Sequence, residues 1–236
     1  MEDILTSCVF GVIKQLPADR MLIPFLAQAR FDGRALDLKG ASDASYEFWP
    51  QLRDTDRSVC EPDLLLYMRG APIPTICVEA KYRSGKSGVD DADEGTAEVA
   101  DEWRSVDQLA RQWRVLEHMQ RPFALVYLTA HCACPVAEIR ASLKAIHQPS
   151  ASIFWLSWRA LVSIIAGDRW LAEQPLVQDL LALLDRLQMR PFEGISRFPS
   201  RQRTWTFTVS KKSRTVGFLW RASEAAPSWS FRTRTG

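Results

Sequence analysis

The sequence predicts an α/β fold built on a mixed sheet, and three observations point to it. Short β-rich runs alternate with amphipathic stretches of helical length, in the order helix, three strands, helix, strand, helix, strand, helix. Two of the runs flank a Gly/Pro cluster from Gly70 to Pro74, the pattern of an antiparallel hairpin. With 236 residues and 47% hydrophobic side chains, the chain is long enough for one sizeable core and an appendage.

Each element has its own justification. Residues 4–16 read as a helix closed by Pro17, and residues 18–29 as a second one that Pro24 interrupts. Tyr46-Glu47-Phe48-Trp49 alternates as a first strand, followed by Leu64-Leu65-Leu66-Tyr67 and Thr75-Ile76-Cys77-Val78. A polar, Gly-containing loop is expected over 83–96. A long helix over 98–119 carries the apolar stripe Val99, Trp103, Val106, Leu109, Trp113 and Leu116, at spacings of three and four. Residues 123–128 form a buried-type strand, and Pro135 opens a helix to 146 at the position where proline is tolerated. A strand over 152–156 runs into helical 158–165, and 176–187 is a further amphipathic helix.

Charge divides the chain in two. The net formal charge is only +2, yet 20 Lys/Arg face 26 Asp/Glu up to Met189, and 10 face 2 beyond it. The division predicts a core over 1–189 and a basic, aromatic, β-rich extension over 190–236. Within the extension, 204–209, 215–220 and 228–231 alternate as strands, with Lys211-Lys212-Ser213 as a turn. Such a sheet packs its Trp/Phe face inward. Its basic residues, Lys211, Lys212 and Arg214 among them, face water or bind a nucleic-acid backbone. No run reaches the roughly 18–20 apolar residues of a membrane span. The acidic start Met1-Glu2-Asp3 is unlike a signal peptide, and five scattered cysteines suit free thiols in a reducing cytoplasm.

The chemistry concentrates between Cys60 and Tyr82. Pro62-Asp63 precedes one strand, and Glu79-Ala80-Lys81 ends the next. A hairpin folded about Ala71 and Pro72 pairs residues whose numbers sum to roughly 142–143, which places Asp63 opposite Glu79 or its neighbour. Period-two alternation puts Glu79 and Lys81 on one face. Two carboxylates and an ammonium on apolar strands suit a hard divalent cation, with the lysine beside an attacking water. The plainer alternative is a Glu79–Lys81 ion pair, with Asp63 ending a turn.

Other patterns lead nowhere. Phosphate-loop, dinucleotide and nucleophile-elbow motifs are absent, and His118, His131 and His147 lack any triad context. His131-Cys132-Ala133-Cys134 has no second ligand pair at zinc-finger spacing. The acidic string 90–94 lacks the glycine and closing glutamate of a calcium loop.

At Pro62-Asp63 and Glu79-Ala80-Lys81 the chain resembles the PD-(D/E)XK nuclease superfamily, the restriction-endonuclease-like fold. The resemblance spans residues 1 to about 165 and implies a sandwich with the catalytic strands at the sheet centre. It implies that Asp63 and Glu79 bind Mg²⁺, with Mn²⁺ as a substitute, that the Ala80 carbonyl completes the shell, and that Lys81 activates water. Gln108, in Gln108-Leu109-Ala110-Arg111-Gln112-Trp113, matches a helix glutamine that orients the lysine or a water in relatives. Glu2 matches an outer carboxylate on the first helix. Its opening, Glu2-Asp3-Ile4-Leu5-Thr6, is similar to nucleases of bacterial defence operons. The implied activity is metal-dependent DNA hydrolysis, with homodimers or larger defence complexes as assemblies; nothing in the residues decides DNA against RNA. The rival implication is an inactive nuclease-fold subunit that binds nucleic acid or a partner protein.

Overall fold

The computed structural model describes residues 2–53, 59–82, 107–119, 121–148, 151–190, 205–208 and 217–220. The chain divides into two units, Met1–Pro191 and Phe192–Gly236. In the first unit the order is α1 (Glu2–Ile13), α2 (Leu22–Leu26), β1 (Arg30–Phe31), β2 (Arg34–Ala35), β3 (Asp43–Phe48), β4 (Leu52–Arg53), β5 (Val59–Cys60), β6 (Leu64–Arg69) and β7 (Thr75–Lys81). It continues with α3 (Gln108–His118), β8 (Phe123–Thr129), α4 (Val136–Ile146), β9 (Ile153–Ser157), α5 (Ala160–Gly167), α6 (Arg169–Ala172) and α7 (Pro175–Arg186).

Seven of these strands form one mixed sheet in the order β2-β1-β9-β8-β7-β6-β3. Strands β7, β8 and β9 run parallel, and every other pairing in this sheet is antiparallel. Strand β7 is buried along its whole length, as expected where helices cover both faces. On one face Ile76, Val78 and Ala80 pack with Leu5, Val9 and Phe10 of α1, and with Leu161, Leu180 and Leu184 of α5 and α7. On the other, Cys77, Leu65, Leu125 and Tyr127 meet Leu109, Trp113 and Leu116 of α3 and Ile139 of α4. The expected α/β architecture with a mixed sheet flanked by helices is therefore present.

Several boundaries differ from expectation for physical reasons. The second helix shrinks to Leu22–Leu26, which leaves Pro24 in its first turn, where a missing N–H costs nothing. The long helix does not run through Asp107, whose ψ is 123° and whose carboxylate accepts the N–H groups of Leu109 and Ala110 as an N-cap. Residues 98–106 of that expectation, and the 83–96 loop, lie outside the described residues. Strands β1 and β2 were not anticipated. Their turn residues Asp32 and Gly33 have φ of 51° and 75°, the Asp-Gly hairpin chemistry that would have revealed them.

In the second unit, β10 (Trp205–Thr208) and β11 (Gly217–Trp220) form an antiparallel pair with Trp205 in register with Trp220. The 228–231 strand and Lys211, Lys212 and Arg214 lie outside the described residues.

Two glycines hold the far end of the β6–β7 hairpin. Gly40 and Gly70 have φ of 81° and 80°. A Cβ on Gly40 would stand 2.8 Å from the Gly70 carbonyl oxygen, and one on Gly70 would be closer still to that of Gly40. Gly70→Ala is expected to lower stability by about 2–4 kcal/mol, read as a drop in the urea midpoint. A midpoint equal to wild type would show that the two backbones can part without cost.

Candidate functional site at the carboxyl end of β7

Strands β6 and β7 pair with Leu64 opposite Val78 and Leu65 opposite Cys77, so paired numbers sum to 142, within the predicted register. One step beyond the ladder Asp63 stands opposite Glu79. The Asp63 carboxylate takes over from the main chain there, accepting the Ala80 N–H at 2.7 Å. Pro62, one residue earlier, has no N–H to offer a continuing ladder.

Glu79 is only 1% exposed and Lys81 8%. The Lys81 ammonium lies 3.0 Å from Glu79 Oε1. The other oxygen, Oε2, accepts from Gln112 Nε2 at 2.5 Å. Gln112 is oriented in turn by the Cys77 thiol, which points at its Oε1 from 4.0 Å. Desolvation, and then the Glu79 charge, push the Cys77 thiol well above its usual range, so it remains the neutral donor.

Burial, reinforced by the Asp63 charge, raises the Glu79 carboxyl to about 7, against the pull of Lys81 and Gln112. Because the folded value lies above the unfolded one, folding favours the protonated acid. Stability from this group is full below about pH 4.5 and is lost as pH rises through about 7. The loss should be on the order of 3 kcal/mol in metal-free protein. Urea midpoints in EDTA at pH 5.5 and 8 measure it, and a higher midpoint at pH 8 in wild type than in Glu79→Gln would contradict it.

The predicted residues divide into those that meet and those that do not. Asp63, Glu79, Ala80 and Lys81 come together at the carboxyl end of β7. Gln108 does not reach Glu79; it opens α3 one turn before Gln112, and its half-buried side chain leaves Oε1 without a hydrogen-bond partner among the described residues. Gln112 was missed, although it lies four residues on, along the same side of the helix. Glu2 begins α1, a helix packed against the opposite sheet face from Glu79. Across β8, Tyr127 stands opposite Glu79 and donates to Glu138 Oε2 at 2.8 Å.

Asp63 and Glu79 supply hard oxygen donors at this strand end, with the Ala80 N–H on Asp63 and the Lys81 ammonium against Glu79. Among the described residues no group of three or more His, Cys, Asp or Glu side chains is gathered as a metal cage. Also among them, no helix is long and apolar enough to cross a membrane. Comparison with family models, with curated proteins and with solved structures finds no match to this chain.

Proposed function

We propose that the chain is a Mg²⁺-dependent nuclease of restriction-endonuclease-like fold. It hydrolyses DNA phosphodiester bonds as an endonuclease, in bacterial defence against phage or foreign DNA. The observation that carries the reading is the convergence of Asp63, Glu79 and Lys81 from two strands onto one spot. A surface ion pair would need none of the burial seen at Glu79, and an isolated buried carboxylate costs several kcal/mol unless it is used or paired. The mixed sheet with helices on both faces agrees with the fold. The basic extension, with Lys211, Lys212 and Arg214, supplies a nucleic-acid backbone contact in this reading.

The residues fit a hard divalent cation. Two carboxylates lie close enough for one to raise the other's proton affinity, and Glu79 presents Oε1 to Lys81 while Gln112 holds Oε2. Asp63 and Glu79 would hold the ion, with the Ala80 carbonyl as a third oxygen. When bound, a divalent ion polarises the scissile phosphate and lowers the pKa of an adjacent water. Lys81 stands beside that position, where its ammonium orients the water and offsets negative charge developing at phosphorus. Gln112 keeps the Glu79 carboxylate in one rotamer through Oε2, which leaves Oε1 directed toward Lys81.

Metal binding must displace the Glu79 proton, so affinity should rise as pH passes about 7. Calorimetric titration with Mn²⁺ tests this reading. Wild type should bind more tightly at pH 8 than at pH 6, and Glu79→Gln should lose at least about tenfold in affinity. Equal binding by the two proteins would count against a cation at this site.

A further inference from the structure

One register row crosses the sheet on the face of the acidic pair: Glu79, Tyr127, Trp155 and Arg30, on β7, β8, β9 and β1. At about 4.8 Å between neighbouring strands, Arg30 lies about 14 Å from Glu79. A cleft of about 470 Å³ opens where the row ends. Arg30, Arg34 and Arg140 line it, with Phe31, Trp155 and Cys134. Arg30 and Arg140 are exposed, and neither has a carboxylate within ion-pair distance among the described residues. Arg34 is held in place, donating to the Ala151 carbonyl at 3.1 Å with its guanidinium over the Phe154 ring. Asp32 is the one acidic residue among those that line the cleft.

The cleft is also tied to the acidic site. The half-buried Trp155 donates its indole N–H to Thr129 Oγ1 at 2.9 Å, and Thr129 stands opposite Lys81 in the β7–β8 register. Helix α4 begins at the same rim, and its N-cap, Pro135, makes no side-chain cap. A guanidinium cluster favours phosphate, and an indole in a cleft favours the flat face of a base.

We propose that this cleft binds a nucleotide unit of the strand being cut, its phosphate on Arg30 and Arg140 and its base against Trp155. The inference rests on the nuclease reading for its substrate and adds the course of the strand away from the cut.

The test is fluorescence anisotropy of the full chain with a labelled 12-nucleotide single strand and with the matching duplex, both in EDTA. Arg30→Ala/Arg140→Ala should weaken binding of one probe at least about tenfold and flatten its salt dependence by one to two phosphate contacts. Arg186→Ala, which removes an exposed charge at the end of α7, should bind as wild type. With Mg²⁺, the double variant should raise KM and leave kcat within about twofold. Unchanged affinity and salt slope in the double variant overturn the cleft and leave the nuclease reading standing. Loss of binding in a chain that cleaves nothing overturns the nuclease reading and keeps the cleft. Wild type that binds neither probe overturns the cleft whatever the cleavage assay gives.

Discussion

Lys81→Ala is expected to slow Mg²⁺-dependent strand cleavage by roughly a hundred- to a thousandfold, with the sheet intact. Two losses combine in this one substitution. The ammonium 3.0 Å from Glu79, which the proposed mechanism sets beside the scissile phosphate, is gone. Its removal also lifts a charge that lowers the Glu79 pKa, so the carboxyl holds its proton to higher pH and resists metal. The optimum of any residual activity should therefore move to higher pH. Initial rates on supercoiled plasmid between pH 6 and 9, beside far-ultraviolet circular dichroism, measure both effects. Wild-type rates from a folded Lys81→Ala protein would remove lysine from the mechanism.

Trp158→Ala is expected to cost about 3–5 kcal/mol of stability, the largest single loss from the core. Trp158 is fully buried, and its ring meets Phe10 edge-on at 6.0 Å between centroids. Its indole N–H donates to the Lys81 carbonyl at 3.3 Å, and its main-chain N–H to the Thr129 carbonyl at 3.0 Å. One side chain thus joins α1 packing to the end of β7 that carries the site. Trp158→Phe keeps most of the volume and removes the indole donor, which should cost about 1–3 kcal/mol. Denaturant unfolding of both variants decides the matter. A loss under about 1 kcal/mol for alanine would show that the pocket collapses without penalty.

The hairpin at the heart of the site was legible because its determinants are local. Gly70 to Pro74 fixes the turn, and antiparallel register then carries Asp63 to Glu79 with no tertiary information. The identity of the glutamine was not legible. Gln108 and Gln112 share a helix side, and only the helix start at Asp107 and the seating of α3 on β7 choose Gln112. That choice depends on packing between elements remote in sequence. Strands β1 and β2 escaped because two-residue strands carry no periodicity, although Asp32-Gly33 marked their turn. The cleft is equally invisible in the sequence, since Arg30 meets Trp155 only after β1 joins the sheet beside β9.

The most direct measurement is plasmid nicking by wild type and Asp63→Asn, purified side by side, in Mg²⁺ and in EDTA. Asparagine keeps an oxygen for the Ala80 N–H, so the hairpin end should hold while the charge is lost. A metal-dependent nuclease with Asp63 as a ligand cleaves as wild type in Mg²⁺, and both EDTA and Asp63→Asn abolish that cleavage. Equal cleavage by both proteins, or activity that EDTA leaves untouched, would contradict it.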